Sequence, residues 1–161
     1  MPIENDKYTK VLFRYFSNIL NKEIVETMWA TIVDNEKGIY KLDSIPFYGP
    51  QIATEDEFYA DFDKNEQMLS YRETTKYSGN SIVLVTINQN DYDKEKMRDE
   101  FRILNCTSEG LNEHYFALEI PKRCDYSIIK NKLSELETRG IIEYAEPCLS
   151  EKHRNDIIKF V

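Results

Sequence analysis

The sequence predicts an α+β protein in which a small antiparallel β unit packs on a second unit of alternating strands and helices. Two observations lead to this prediction. The first part of the chain carries β-branched and aromatic runs separated by turn residues. The second part alternates between apolar, strand-like runs and segments whose apolar residues recur at helical spacing. We therefore divide the chain into residues 1–80, 81–150 and 151–161.

The N-terminal unit is predicted to be a barrel-like or meandering antiparallel sheet. Its strands are expected at residues 10–16, 23–33, 39–42, 57–62 and 68–75. Val25, Trp29 and Ile32 are the expected core residues of the second strand. Gly38 suits the hairpin turn that follows, and Pro46 indicates an extended corner without regular ladder pairing.

The second unit is predicted to have the element order βαββαβ of a ferredoxin-like fold. Residues 82–87 form an uninterrupted apolar run, which is typical of a strand buried on both faces. Asp91 and Asp125 are expected to cap the two helices. Both helices would cover one face of the sheet, so we expect the N-terminal unit to cover the other. Residues 157–161 are apolar and are expected to dock as an edge strand or clip.

Charge and composition limit the class of partner. The 161 residues carry a net charge of −8, which argues against a general affinity for nucleic-acid phosphates and favours a basic partner or simple solubility. The sequence has no apolar window near the roughly 20 residues that span a bilayer and no signal-peptide pattern. Its three cysteines show no paired spacing. We expect a cytoplasmic protein that binds neither nucleic acid nor membrane.

The most distinctive electrostatic feature is an acidic stretch at the start of the predicted fourth strand. On a strand, Glu57, Tyr59 and Asp61 would share one face. Such a face would steer a basic protein and offer a tyrosine as an anchor, although an ordinary solvated face is the open alternative. The candidate partner-binding residues are Glu55, Asp56, Glu57, Tyr59, Asp61 and Asp63.

The sequence predicts no catalytic, cofactor or metal site. The consecutive carboxylates of residues 55–57 would diverge on a strand and lack EF-hand spacing. His114 and His153 have no Cys or His neighbour at zinc-ligand spacing. Residues 78–81 lead into a strand, so they indicate a tight turn instead of a phosphate-binding loop. An enzyme whose carboxylates meet only in three dimensions is a third possibility.

Four segments in combination resemble a poorly characterised bacterial family of domains of unknown function. They are residues 28–30 (Met-Trp-Ala), 45–48 (Ile-Pro-Phe-Tyr), 55–60 and 78–81 (Ser-Gly-Asn-Ser). The resemblance covers about residues 11–150, and Glu55 stands where a glycine is commoner. It implies a small, soluble bacterial protein of a kind that includes immunity-like partners of secreted or contact-delivered toxins. It brings no catalytic residues with it.

These observations favour an immunity protein that binds a cognate, basic toxin domain stoichiometrically and covers its active site or its entry surface. The alternative is a small-molecule-binding or regulatory domain without catalysis, which rests on analogy with other ferredoxin-like sheets. The identity of the toxin and the oligomeric state stay open at this point.

Overall fold

The computed structural model describes residues 7–158 and contains two sheets and three helices, which confirms the α+β prediction. The strands are β1 (Tyr8–Ser17), β2 (Lys22–Asp34), β3 (Ile39–Leu42), β4 (Glu57–Asp63), β5 (Met68–Lys76), β6 (Ser81–Ile87), β7 (Thr107–Asn112), β8 (Tyr115–Ile120) and β9 (Ile142–Cys148). The helices are α1 (Lys94–Ile103), α2 (Tyr126–Thr138) and α3 (Glu151–Ile158).

The first five strands form a closed barrel. Consecutive strands pair antiparallel, and the barrel closes where Leu12 of β1 lies beside Ser70 of β5 in parallel register. Aromatic rings fill much of its interior: Phe13 stacks on Tyr71 at 5.0 Å between ring centroids and meets Phe58 edge-on at 5.3 Å. Closure leaves the barrel without an unpaired sheet edge, which makes its outer surface a rigid support for side chains.

Strand β2 buries a different row of side chains from the predicted one. Met28 and Ala30 face the interior, whereas Trp29 and Val25 are 49% and 48% exposed. Ile32 packs against the barrel core. Side chains alternate along a strand, so an error of one residue in phase moves a whole row to the other face. Glu26 lies in the inner row with Met28. Because charged residues are usually exposed, its presence made that row look like the outer one in the sequence.

The second sheet has the strand order β7-β8-β6-β9, and its elements run β6-α1-β7-β8-α2-β9 along the chain. Strand β6 is buried on both faces, as its apolar run predicts. Val83 and Val85 contact the core formed with α1 and α2. The predicted cap of α1 is wrong by two residues, because Asp93 and not Asp91 accepts the first free backbone amides. Asp125 caps α2 as predicted.

The other face of this sheet is covered by the segment that joins β3 to β4, residues 43–56. Ala53 packs in a small core with Ile82 and Leu84 of β6, and Phe47 packs against that core. Gly49, at φ +89°, lets the segment pass close to its neighbours, since a Cβ there would lie 3.1 Å from Ile19 Cγ1. The barrel unit therefore meets the sheet through this segment.

The chain after β9 forms helix α3 over residues 151–158, and residues 157 and 158, at the start of the edge strand or clip expected at residues 157–161, lie in this helix. Ser150 precedes α3, and its hydroxyl oxygen accepts the backbone N–H of His153 at 3.2 Å, which satisfies one of the free amides of the first turn. His153 and Asp156 are buried against the rest of the second unit. Residues 159–161 of the predicted clip lie outside the described residues. Within residues 7–158, every helix is too short or too polar to traverse a bilayer.

Candidate functional site

The outer face of β4 carries four of the six predicted partner-binding residues. Glu57, Tyr59 and Asp61 point outward, while Phe58 and Ala60 are buried in the barrel. Residues 57–59 of β4 pair with β3 on one side and β5 on the other, whereas Asp61 and Asp63 pair with β5 alone. We call the surface formed by Glu57, Tyr59, Asp61 and Asp63 the β4 face.

Tyr59 is held in place at the centre of the β4 face. Its ring lies over Gly38, where a Cβ would be 3.0 Å from Tyr59 Cε1 and 2.8 Å from the carbonyl oxygen of Ala60. Gly38 also has φ +71°, a conformation that L side chains rarely adopt. The Tyr59 hydroxyl lies 3.5 Å from Asp61 Oδ2. The tyrosine is therefore partly exposed and already oriented.

The β4 face is less acidic than the sequence indicates, because basic side chains lie beside it. Arg72 of β5 donates to Asp61 and lies 3.5 Å from the Asp63 carboxylate. The backbone amides of the turn after Asp63 hold its pKa below the ordinary value, and Arg72 adds to this effect. Lys41 and Lys76 are the register partners of Glu57 on the two neighbouring strands. Charge on this face is thus partly neutralised.

Asp56 does not belong to the β4 face, in contrast to the prediction. It is 1% exposed, and its two carboxylate oxygens accept the backbone N–H groups of Ala53 at 3.0 Å and Ser78 at 2.8 Å. Burial raises its pKa, and these hydrogen bonds oppose the rise. Asp56 fastens residues 43–56 to the connection between the two units. Glu55 is exposed and adopts φ +67°, a strained conformation at the position where the resemblance places a glycine.

The turn at residues 78–81 joins the barrel to the second sheet through side-chain hydrogen bonds. The Asn80 amide group donates to the Thr54 carbonyl oxygen at 3.1 Å and accepts the backbone N–H of Lys122 at 3.0 Å. The Ser78 hydroxyl donates to the same Thr54 carbonyl oxygen at 2.8 Å. This turn leads into strand β6, whereas a phosphate-binding loop leads into the N-terminus of a helix. The turn therefore has a structural role.

His153 is a buried part of the same connection. Its Nε2–H donates to the carbonyl oxygen of Pro121 at 3.0 Å, since a carbonyl can only accept. Nδ1 then accepts the hydroxyl proton of Ser81 at 2.6 Å, and Ser81 Oγ accepts the backbone N–H of Ser150 at 2.8 Å. Burial lowers the pKa of His153. The ring is neutral and links β6, α3 and the turn before α2.

A second buried carboxyl group lies at the other end of the segment 43–56. Glu26 accepts the hydroxyl proton of Tyr15 at 2.8 Å and the backbone N–H of Phe47 at 2.9 Å. The Tyr115 hydroxyl of β8 donates to the Phe47 carbonyl oxygen and so joins the second sheet to this cluster. Burial raises the pKa of Glu26, against the smaller effect of its two hydrogen bonds.

The three cysteines are free thiols, and burial suppresses their ionisation. It raises the pKa of Cys106 and of Cys148 to about 12 and also raises that of Cys124. A thiolate nucleophile at neutral pH needs a lowered pKa, so these environments do not activate them. Within residues 7–158, no three metal-ligating side chains come together. His114 lies in the turn before β8 and is not part of such a group.

Two clefts follow the seam between the barrel and the second unit. The larger has a volume of about 1000 Å³ and lies between residues 51–56, β9 and α3. The smaller has a volume of about 400 Å³ and lies beside β1, with Tyr15 and Phe16 in its wall. Gln51 and Pro147 line both clefts, so they stand between them. No local sequence pattern indicates either cleft, because each is lined by residues from distant parts of the chain.

An exposed aromatic surface on β1 and β2 is a further feature that the sequence analysis missed. Trp29 lies on the outer face of the barrel with Lys10 Nζ 5.1 Å from its ring centroid. Phe16 is 54% exposed and Val25, on β2, faces outward as well. The alternation along β2 could have indicated this surface. Met28 and Ala30 form one apolar row, Val25 and Trp29 form the other, and either row suits the barrel interior by its hydrophobicity.

Comparison with known proteins gives a family and a fold. A family model described as "Domain of unknown function (DUF4265)" matches residues 26–144. A solved structure described as a novel crystal structure of a hypothetical protein from Neisseria gonorrhoeae is similar, with a TM-score of 0.75 and 20% identity over 88% of this chain and 95% of that chain. At this identity the likeness shows the fold alone. No curated protein matches the chain.

Proposed function

The chain belongs to the family described as Domain of unknown function (DUF4265), and we propose that it is an immunity protein that binds a cognate bacterial toxin one to one and blocks it. In this proposal the protein works in the cytoplasm and performs no chemistry. The toxin domain is basic, and the β4 face covers the surface through which it acts.

We further infer that the second unit is a ferredoxin-like scaffold. The strand order β7-β8-β6-β9 and the placement of α1 and α2 on one face support this inference. Its open face is occupied by residues 43–56, so the barrel supplies the free surface for a partner.

The fixed position of Tyr59 is the observation that carries the proposal. A partner gains most from an aromatic side chain that is already ordered, because binding then costs little conformational entropy. Gly38 beneath the ring and paired strands on both sides provide that order. Carboxylates around the ring suit a basic partner, and the net charge of −8 adds long-range attraction.

The test uses the basic toxin domain that the proposal expects in the neighbouring reading frame and measures its binding kinetics by surface plasmon resonance. Tyr59→Ala is expected to raise the dissociation rate at least about tenfold, as for a central aromatic anchor. Asp61→Lys is expected to slow association roughly threefold to tenfold at low salt. Glu113→Lys is the matched control, since it makes the same charge change in the β7–β8 turn. Equal effects of the two lysine variants would remove the β4 face from the proposal.

Arg72 offers a variant that works in the opposite direction. Arg72→Ala frees Asp61 and Asp63 from their basic neighbour and is expected to speed association with the basic toxin at low salt. Arg139→Ala, which removes an exposed arginine paired with Glu135 on α2, is the control for net charge. A slower association of the Arg72 variant alone would mean that Arg72 itself contacts the toxin.

The outer face of β1 and β2 is the competing docking surface, because Trp29 is half exposed there. Trp29→Ser leaves the barrel interior unchanged, since Met28 and Ala30 fill it. Under the proposal this variant binds the toxin as the wild type does. A large rise in its dissociation rate, with Tyr59→Ala unchanged, would move the binding site to β2.

A further inference from the structure

The larger cleft at the seam is separate from the β4 face, on which the proposed toxin contact rests. Its volume of about 1000 Å³ is at the upper end of the range for small-molecule sites. It opens between the barrel side, at Gln51 and Tyr77, and the second unit, at β9 and α3. The β4 face does not line it.

Two cations in this cleft have no anionic partner in the part of the chain that the structure describes. Lys122 and Arg154 line the cleft, and neither forms an ion pair within residues 7–158. Most other charges of the cleft are already engaged. Glu146 binds Lys130 at 3.0 Å, and Lys152 binds Asp156 at 2.8 Å.

Three acidic side chains line the cleft together with Lys122 and Arg154, namely Asp56, Glu146 and Glu151. Asp56 is buried and spends both oxygens on backbone amides, as described above. Asp56 and Glu151, which lies in the exposed first turn of α3, are the two acidic lining residues for which the described residues provide no ion pair. Lys122 and Arg154 therefore share the cleft with two carboxylates that lack an ion pair, and the oxygens of one of these, Asp56, are occupied by backbone amides.

The backbone places Lys122 at the cleft. Its methylene chain lies on Gly79, where a Cβ would stand 2.6 Å from Lys122 Cδ and 2.8 Å from Lys122 Cγ. Its backbone N–H is fixed by Asn80 at 3.0 Å. A side chain at residue 79 would therefore displace the methylene chain of the lysine. Arg154 lies on α3 close enough to Cys148 for its charge to oppose the rise in thiol pKa that burial and Asp56 cause.

We propose that this cleft binds a small phosphorylated molecule, with Lys122 and Arg154 holding the phosphate. The planar guanidinium pairs with two phosphate oxygens at once, and the ammonium adds a compact positive charge. The volume exceeds what a phosphate ion alone would fill, so an organic phosphate is expected to bind more tightly than inorganic phosphate. Tyr77, 71% exposed at the rim, offers a ring face to the organic part.

Isothermal titration calorimetry of the full chain with inorganic phosphate, ribose phosphate and adenosine monophosphate tests this proposal without any toxin. Saturable binding of at least one organic phosphate is expected, with inorganic phosphate weaker. Lys122→Gln and Arg154→Gln should each weaken it roughly tenfold or more, the usual effect of losing a charge-assisted hydrogen bond. Arg123→Gln, beside Lys122 but outside the cleft lining, should leave binding within about twofold of the wild type.

Three outcomes would overturn the proposal: no saturable heat with any of the three phosphates up to about 10 mM, equal weakening by the Arg123 variant, or equal binding of adenosine without its phosphate. Because the toxin plays no part in this titration, its failure leaves the immunity proposal intact, and the converse also holds.

Discussion

Asp56 and Glu57 are neighbours in the chain, yet they belong to two different regions of the molecule. Asp56 is buried at the junction between the barrel and the second unit, where two backbone amides bind its carboxylate. Glu57 is partly exposed on the β4 face between the register partners Lys41 and Lys76. One acidic run therefore contributes both to the internal structure and to the proposed docking surface.

The roles of Asp56 and Glu57 differ because their surroundings differ, although both belong to the same acidic run. The junction contains a second buried carboxyl group, Glu26, whose partners are a tyrosine hydroxyl and one backbone amide. Asp56 accepts only from backbone N–H groups, which cannot turn away, whereas the Tyr15 hydroxyl can either donate or accept. The two buried groups should therefore respond in opposite ways to replacement by an amide.

The largest effect is expected for Asp56→Asn. The new NH2 group would face a backbone N–H, so one buried donor of the junction loses its acceptor and the free energy of unfolding falls by about 2–3 kcal/mol. Urea denaturation at neutral pH measures this change. A loss below about 0.5 kcal/mol would show that the junction does not depend on this carboxylate.

Acid should weaken the junction through His153. Burial lowers its folded-state pKa, so the unfolded chain binds the proton more readily and stability is lost as the pH falls through the ordinary value of about 6.5. The slope approaches at most about 1.4 kcal/mol per pH unit. Unfolding curves of the wild type and His153→Gln between neutral and mildly acidic pH measure it. Parallel pH dependence in the two proteins would contradict the assignment.

Glu26→Gln should stabilise the protein, in contrast to the Asp56 variant. Burial raises the pKa of Glu26 in the folded protein, so the folded state binds this proton more tightly than the unfolded chain does. The stability that this proton contributes is lost as the pH rises through the folded-state pKa. The variant should match the wild type in acid and have a higher free energy of unfolding at neutral pH and above. Melting temperatures at both pH values test this, and a destabilised variant at high pH would mean that the ionised form is required.

Glu55→Gly should give a smaller gain. Glu55 holds φ +67°, and glycine adopts that conformation without a Cβ clash, so stability should rise by about 0.5–1 kcal/mol. Asn21→Gly is the matched control, since asparagine at φ +54° tolerates the left-handed region better. The Glu55 carboxylate accepts a hydrogen bond from the Asn80 side-chain amide at 3.4 Å. A loss of stability in the Glu55 variant would show that this hydrogen bond matters more than the backbone strain.

On the β4 face the expected effect on stability is smallest. Asp61→Asn removes an exposed pair with Arg72 and should change the free energy of unfolding by less than about 0.5 kcal/mol. The same denaturation experiment as for Asp56→Asn provides the comparison. Similar losses in the two variants would remove the distinction between a structural region and an interaction region.

The sequence predicted the second unit better than the barrel for a physical reason. Strand β6 is buried on both faces, so its apolar run needs no assignment of phase. Strand β2 has one buried face, and the apolar pair Val25 and Trp29 competes with Met28 and Ala30 for it. Only the closed barrel decides between the two rows, because it determines which row faces the other strands.

The candidate sites divide in the same way. Alternation along β4 placed Glu57, Tyr59 and Asp61 together correctly. It could not show that Asp56 binds the amide of Ser78 or that Arg72 lies beside Asp61, because these partners meet only through folding. The cleft with Lys122 and Arg154 also joins residues far apart in the chain. Local patterns thus predicted the outward row but not the charges around it.

The most direct measurement is a titration of the toxin's activity with this protein. We expect the toxin's activity to fall linearly and to vanish at one equivalent of the wild-type protein. The Tyr59→Ala variant should require a clear molar excess for the same inhibition. Two results would contradict the immunity proposal. One is full toxin activity in the presence of excess wild-type protein, and the other is conversion of the toxin's substrate by this protein when the toxin is absent.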